Sequence, residues 1–411
     1  MRTTTPKNGF VTLCGAGTPF LDGFSTASAA FLILTIPGLD ALEVALLTSL
    51  NLAGTFLGSL LIGPLADRFG RRPFFIASVL GFALLTALAI AVPEVAVILF
   101  MRLATGFLVG GDYPVSQAIV TENVTEDFRA RALAVLMIAW NVGALTAALA
   151  SLPVLLSGVD WTLFFWMQLA VSAALTLLRR RVPEPRAWHR AKAEPESSAP
   201  SGRPAAWNTE DRLNLFFCAG FWLCQTVPVT VMMFYAGRIL ERFTGASGPV
   251  THMLLLYGFF MVGAIPSTLS FIARRPKLVL LSTFAAMAAG LAMVFPWGGS
   301  PSSLAGLGFV LFAFAYGLQA PIDFVYPNLL FRTVNRARSV GVITALARVG
   351  ATLSAFCFPL LLERFGAPAM FMGGLVILGG GFVLAVLMAP SDRRWTGRTG
   401  DGGSGGGAEP V

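Results

Sequence analysis

Twelve apolar runs, separated by short polar gaps, account for most of this chain of 411 residues. A helix needs roughly 20 apolar residues to cross the hydrocarbon core of a bilayer, and most of the runs reach that length. Only 12% of the residues are charged, whereas soluble proteins carry about 25%. We therefore predict an all-α membrane protein with twelve transmembrane helices, at residues 10–36, 42–63, 74–92, 95–120, 130–153, 161–178, 212–237, 250–271, 277–296, 303–331, 338–362 and 367–389.

The two parts of the chain repeat one another. Arg71-Arg72-Pro73 recurs 203 residues later as Arg274-Arg275-Pro276, and the same offset aligns Asp22 with Gln225. Parallel repeats of this kind are typical of transporters whose substrate site lies between two halves near the bilayer midplane. We predict two pseudo-symmetric six-helix halves, residues 1–178 and 212–389, joined by a cytoplasmic linker, 179–211, and followed by a disordered cytoplasmic tail, 390–411.

The basic residues give the orientation. Of the 29 Lys and Arg residues, 24 fall in gaps on one side of the predicted bundle, and the cytoplasmic side carries the excess of basic residues. The pattern predicts a multi-pass protein of the plasma (inner) membrane with both termini in the cytoplasm. The net charge of +8 does not indicate nucleic acid, because the basic residues are not clustered on one folded surface.

No arrangement of residues typical of an enzyme or a metal site is present in the sequence. The four Cys residues lie singly in apolar runs, and the two His residues, His189 and His252, are far apart. Zinc sites and Ser-His-Asp enzymes need such groups in clusters. We expect no enzymatic activity, no cofactor other than protons as the coupling ion, and a monomer whose partners are a small-molecule substrate and the lipid bilayer.

Five charged residues fall inside the predicted spans, where each costs at least a few kcal/mol and therefore indicates a function. A carboxylate in a low-dielectric cavity can take up and release a proton, which makes Asp22 and Asp112 the proton-coupling candidates. The alternative is that each pairs with Arg102 or Arg348 to hold helices together. An Arg fork suits a carboxylate or phosphate, so Arg348 is the candidate for an anionic group. The other substrate-binding candidates are Arg102, Tyr113, Asn141, Gln225, Gln319 and Asp323, although each amide could equally make a helix–helix contact.

A charged segment, Gly63 to Pro73, separates the second and third runs. We expect Gly63 and Gly70 to let the chain turn tightly. Asp67 lies near a helix end, where it can bind basic groups or the N-terminus of another helix. With Arg68, Arg71 and Arg72 it forms a predicted gating motif that holds the halves together in one state.

This segment resembles the G-x-L-A-D-R-x-G-R-R signature of the major facilitator superfamily. Within it, the chain looks most like the bacterial branch of sugar porters and of phosphate, aromatic acid and other metabolite proton symporters. The resemblance is carried by Leu21-Asp22-Gly23-Phe24, Arg102 with Gly106, Gly110-Gly111-Asp112-Tyr113-Pro114-Val115, Pro183-Glu184-Pro185-Arg186 and Tyr326-Pro327-Asn328. It implies proton coupling by Asp22 and Asp112 and substrate contact by Tyr113. Ser25 stands where many relatives have a second Asp, and Leu329 where some have Glu. Both differences weaken the symport inference and leave the substrate open.

The sequence thus predicts a secondary active transporter that moves a small polar metabolite, an organic anion or a sugar-like compound, by alternating access and proton symport. The alternatives are a proton-driven exporter of drugs or metabolites and a non-transporting receptor on the same scaffold. Superfamily antiporters usually carry G-x-x-x-G-P in the fifth span. This chain has Asn141-Val142-Gly143-Ala144 and, further on, Ser151-Leu152-Pro153 there, which favours import.

Overall fold

A computed structural model describes residues 8–185, 207–244, 249–268, 275–295, 303–331 and 335–390. Within these ranges the regular structure is helical. The middle of the predicted linker and nearly all of the predicted tail lie outside the described residues, as do Arg2, Lys7 and Arg274. The helices are α1 (Asn8–Thr35), α2 (Ala41–Phe69), α3 (Arg72–Ala91), α4 (Val95–Asn123), α5 (Glu126–Ser157), α6 (Leu163–Arg179), α7 (Thr209–Thr244), α8 (Pro249–Ala264), α9 (Pro276–Val294), α10 (Ser303–Gln319), α11 (Ile322–Leu330) and α12 (Arg336–Met388).

Nine stretches of the described helices are long and apolar enough to cross a membrane. The apolar part of α8, Leu254–Ala264, and α6 are shorter. Helix α1 has 28 residues, enough to cross, but its Gly, Ser and Thr residues and Asp22 make it less apolar. The all-α membrane prediction is confirmed, and a layout of twelve helices is consistent with these elements.

Three of the predicted spans are split or joined in ways that the apolar pattern does not reveal. The run 303–331 is split at Ala320 and Pro321 into α10 and α11, because proline has no N–H to continue the helical ladder. The runs 338–362 and 367–389 together form α12, with a break at Gly366, whose φ of 75° and ψ of 170° are not helical. A left-handed φ is readily adopted by glycine, which lacks a Cβ.

The helices pack as two sets. In the first, α1 contacts α5, α2 contacts α4, and α3 contacts α4 and α6; in the second, α7 contacts α12, and α10 contacts α8 and α9. The main contacts between the sets join α2 with α12, α5 with α8, and α4 with α12. The exact domain limits remain a prediction.

Glycines let α2 and α4 touch along their backbones. A Cβ added to Gly58 would lie 1.9 Å from the carbonyl oxygen of Phe107, and one added to Gly110 would lie 2.1 Å from that of Thr55. Nothing larger than glycine fits at these distances, so the G-x-x-x-G spacings at 54–58 and 106–110 are packing features, as such spacings commonly are.

A buried ion pair ties four helices of the first set. Arg179, in the last turn of α6, contacts both carboxylate oxygens of Asp112 on α4, with Nη1–Oδ1 at 2.8 Å and Nη2–Oδ2 at 3.1 Å. Ser78 of α3 and Ser116 each donate to this carboxylate at 2.6 Å. Arg179 also donates to Thr18 and the Cys14 carbonyl of α1. Both charged side chains are 0% exposed, so the pair is fully compensated inside the protein.

We predict that Asp112→Asn lowers thermal stability markedly, because it leaves the Arg179 charge buried without its partner, at a cost of about 3–5 kcal/mol. The measurement is the unfolding midpoint of the purified protein in detergent. Ser116→Ala is the matched control, since it removes one hydrogen bond to the same carboxylate and should cost less, about 1.5–3 kcal/mol. An unchanged midpoint for Asp112→Asn would show that the pair does not support the fold.

Candidate functional site

A small cavity of about 60 Å³ lies between the two sets of helices. Residues from α1, α2, α4 and α5 line one side and residues from α7, α10, α11 and α12 line the other. A cavity of this size has room for only a few water molecules. The site is therefore closed in this conformation. Its polar and aromatic lining includes Tyr113, Trp140, Trp222, Tyr316, Asp323 and Arg348.

Three side chains of the site donate hydrogen bonds to Asp22. Its Oδ2 accepts hydrogen bonds from the Tyr113 hydroxyl at 2.6 Å and the Trp140 indole N–H at 3.0 Å. The Arg348 guanidinium also donates to this oxygen, at 3.1 Å, from the opposite set of helices. Three donors thus meet at one carboxylate oxygen, and the contact with Arg348 is an ion pair between the two sets.

Arg348 connects this ion pair to the cavity. Its side chain is 18% exposed, whereas that of Asp22 is 1% exposed. The guanidinium lies 5.7 Å from the centre of the Tyr113 ring, within the range of a cation–π contact. Arg348 is therefore the reachable member of the pair.

Asp323 and Gln225 form a second polar pair beside the cavity. Asp323 lies in the first turn of α11, lines the cavity, and accepts a hydrogen bond at Oδ2 from the Nε2 of Gln225 on α7. Both residues are buried. Asp323 Oδ1 and Gln225 Oε1 have no hydrogen-bond partner among the described residues.

The two remaining charged candidates are placed away from the cavity lining. Asp112 pairs with Arg179, as described above. The sequence predicts Arg179 to be the first residue of the linker. Arg102 donates to the backbone carbonyl of Ser25 at 2.7 Å, to the Ser25 hydroxyl at 2.8 Å and to the Leu47 carbonyl at 3.1 Å. These contacts tie α1, α2 and α4 together. Of the two predicted proton carriers, only Asp22 contacts a cavity-lining residue through the bonds above.

The neutral amide candidates are buried but dispersed. Asn141 donates to the carbonyl of Met137 on its own helix, and Gln319 has no hydrogen-bond partner among the described residues. Neither residue lines the cavity. The Nδ2 of Asn328 donates to Gln117 Oε1 at 2.6 Å, a bond between α11 and α4. This bond connects the two sets of helices to each other.

The gating motif lies where α2 meets the start of α12. Asp67 Oδ2 accepts the backbone N–H of Arg338 at 3.0 Å, and its Oδ1 accepts from Arg71 at 3.1 Å. A Cβ added to Gly63 would lie 2.8 Å from the Ala337 carbonyl oxygen. The acid thus sits at a helix N-terminus, where the macrodipole favours negative charge, and the two sets of helices are in contact at this end.

The predicted turn at Gly63 is wrong, because α2 continues through it to Phe69. Gly63 is instead required for the close approach to Ala337. The turn is made at Gly70, whose φ is 103°. Arg72 stabilises this turn through the Val182 and Arg180 carbonyls, and Glu184 accepts the backbone N–H groups of Arg71 and Arg72 at 2.7 and 2.9 Å. Arg68 is exposed and lies over the ring of Phe69.

Glu122 completes the closed end. Its carboxylate contacts Arg71 and also Arg336, the latter at 3.1 Å, so one acid of α4 holds a cation from each set of helices. Burial opposes the charge of Arg71, but the carboxylates of Glu122 and Asp67 outweigh it and raise the pKa of the guanidinium.

Sequence reasoning did not select Glu122, Trp140 or Arg179. Glu122 lies two residues after the fourth apolar run, and its position in a gap predicted to be cytoplasmic could have suggested a partner for the basic motif. Trp140 is adjacent to the predicted Asn141 and carries an indole N–H that must find an acceptor when buried.

Comparisons with known proteins agree with this architecture. The model of the Major Facilitator Superfamily matches residues 12–332. The putative metabolite transport protein YaaU of Escherichia coli (strain K12) is 28% identical over 413 aligned positions, which cover 93% of this chain and 92% of that protein. The inner membrane metabolite transport protein YgcS of the same organism is 27% identical over 368 positions, covering 83% and 81% of the two chains.

A solved structure shares the fold. The structure of the proton:xylose symporter XylE bound to 6-bromo-6-deoxy-D-glucose aligns with a TM-score of 0.79 at 16% identity, covering 93% of this chain and 96% of that one. The likeness extends over both sets of helices. With the family match over most of the sequence, it follows that the chain belongs to the Major Facilitator Superfamily.

Proposed function

We propose that this protein is a secondary active transporter that carries a small organic anion together with a proton across the plasma (inner) membrane by alternating access. The observation that carries this proposal is the ion pair between Asp22 and Arg348. It joins the two halves at the cavity and combines a proton acceptor with an anion-binding group.

Charge balance supports an anionic substrate. Arg348 is the one cation among the described residues that line the cavity, and its planar fork suits a carboxylate. In the closed site, one nitrogen of this fork, Nη2, is paired with Asp22. A substrate carboxylate therefore competes with Asp22 for the same guanidinium.

A proton resolves this competition. When Asp22 binds a proton it becomes a neutral acid, and Arg348 is released to pair with the substrate carboxylate. When the substrate leaves, Asp22 gives up the proton and pairs with Arg348 again. Each turnover then moves one substrate anion and one proton in the same direction through Asp22.

The closed site supports alternating access. The cavity is too small for a metabolite, so substrate must enter in a conformation in which the halves have separated on one side. The contacts of Gly63 with Ala337, Asp67 with Arg338, and Gln117 with Asn328 close the end that carries the basic motif. The excess of basic residues at this end supports a cytoplasmic placement, with both termini on that side.

Asp112 is better suited to a structural role than to proton coupling. Its carboxylate accepts from Arg179, Ser78 and Ser116 and is fully buried away from the cavity lining. Protonating it would cost the ion pair that ties four helices. We therefore assign proton coupling to Asp22 and the substrate contacts to Arg348 and Tyr113.

The charge of the ligand can be tested directly. In a thermal-shift screen of the purified protein, small carboxylates should stabilise it, and their methyl esters and neutral sugars should not. Arg348→Gln should abolish this stabilisation, and Arg348→Lys should retain part of it, because the charge remains but the fork is lost. Arg364→Gln, at an exposed arginine outside the cavity, is the matched control. Stabilisation by sugars alone would contradict the anionic substrate and favour a sugar-like one.

Proton coupling can also be tested. In proteoliposomes with an imposed pH gradient, the wild type should accumulate the best carboxylate from the screen, and a protonophore should abolish accumulation. Asp22→Asn should lose accumulation and keep substrate exchange, because it can no longer bind and release a proton. Apparent affinity should rise about tenfold per pH unit lowered in the wild type, as one linked proton requires, and should depend less on pH in Asp22→Asn. Normal accumulation by this variant would exclude coupling through Asp22.

A further inference from the structure

Asp323 is a buried acid that the transport step above leaves unused. It follows the break at Ala320 and Pro321, lines the cavity and is 2% exposed. Among the described residues no cation forms an ion pair with it, since Arg348 makes its ion pair with Asp22. An ionised carboxylate in such a place is costly to bury.

The hydrogen bonds of this acid leave two acceptor oxygens without a donor among the described residues. Gln225 Nε2 donates to Asp323 Oδ2, while Asp323 Oδ1 and Gln225 Oε1 are buried and accept no hydrogen bond from the described residues. If Asp323 is ionised, both unpartnered atoms are acceptors, and neither can satisfy the other. A carboxylic acid has one O–H donor in addition to its acceptor oxygen, so a single proton on Oδ1 changes this.

The surroundings of Asp323 contain few charged groups. Among the described residues, the titratable groups that interact with it are Arg348 of α12, Tyr316 of α10 and Cys218 of α7. From α4, the ring of Tyr113 packs on the neighbouring Phe324. Helix α5 brings Met137 and Trp140, both uncharged, to the same cavity. Arg348 is thus the one cation near Asp323, and Asp22 already neutralises it.

We propose that Asp323 holds a resident proton and forms a cyclic acid–amide pair with Gln225, in which Asp323 Oδ1–H donates to Gln225 Oε1 while Gln225 Nε2–H donates to Asp323 Oδ2. The pair satisfies all four polar atoms with two hydrogen bonds. It is a second protonation site, separate from the coupling site at Asp22.

This proton has a consequence for substrate selection, which rests on the transport function proposed above. With Asp323 neutral, the empty cavity contains Arg348 and ionised Asp22 and has no net charge. With substrate bound and Asp22 protonated, it contains Arg348 and the substrate anion and is again neutral. Loss of the Asp323 proton adds a negative charge in both states and repels the anion, so this acid sets an alkaline limit to anion binding.

Infrared spectroscopy of the full-length protein in lipid vesicles tests the proposal directly, without any substrate. At neutral pH the wild type should show the carbonyl stretch of a protonated carboxylic acid, and this band should be missing from Asp323→Asn. Asp160→Asn, at an exposed acid outside the cavity, is the matched control and should keep the band. Asparagine can form the same two hydrogen bonds with Gln225, so the variant should fold, as its unfolding midpoint would confirm.

A second variant separates the hydrogen bonds from the proton. Gln225→Ala should retain the acid band but move it to a higher wavenumber, because the acid loses its amide partner. In binding measurements, the affinity of Asp323→Asn for the carboxylate ligand should fall less steeply at alkaline pH than that of the wild type, because only Asp22 then loses a proton. An acid band in Asp323→Asn equal to that of the wild type, or the absence of a band from the wild type, would overturn the proposal. Because these spectra contain no substrate, their outcome does not depend on whether the transported compound is an organic anion.

Discussion

A charge placed inside a bilayer must find its partners within the protein, and this constraint arranges the interior of the bundle. Arg102 is satisfied by carbonyl and hydroxyl oxygens, and Asp112 by Arg179 and two serines. These groups hold helices together within one half. The pair of Asp22 and Arg348 is different, because it joins the two halves and its arginine reaches the cavity. Because Arg348 is paired with Asp22 and is also accessible from the cavity, its partner can be exchanged.

Internal symmetry does not make the two halves chemically equal. The repeat aligns Asp22 with Gln225, and both residues project from the first helix of their half into the central region. Asp22 binds a cation from the opposite half, whereas Gln225 binds an acid of its own half, Asp323. The pseudo-symmetric positions therefore make different contacts, one an ion pair between the two halves and the other a hydrogen bond to an acid within one half.

The sequence was sufficient to predict the helical membrane class, the family and the residues whose burial demands a function. It could not supply their partners, because a partner is set by packing between distant segments. Arg179 looked like the first residue of a basic linker, yet the last turn of α6 buries it beside Asp112. Gly63 looked like a turn residue, yet its missing side chain serves a contact with Ala337 on another helix. Pro321 is visible in the sequence as a helix breaker. The position of Asp323 after this break is known only from the three-dimensional structure.

The backbone contact between α2 and α4 has a mechanical consequence. Carbonyl oxygens of one helix fill the space that side chains would take on the other, so the two helices cannot slide or rotate independently without steric overlap. Helix α2 carries Asp67 and Gly63 at the closed end, and α4 carries Tyr113 at the cavity. We therefore expect the pair to move as one stiff unit, which links the end that carries Asp67 directly to the cavity that Tyr113 lines.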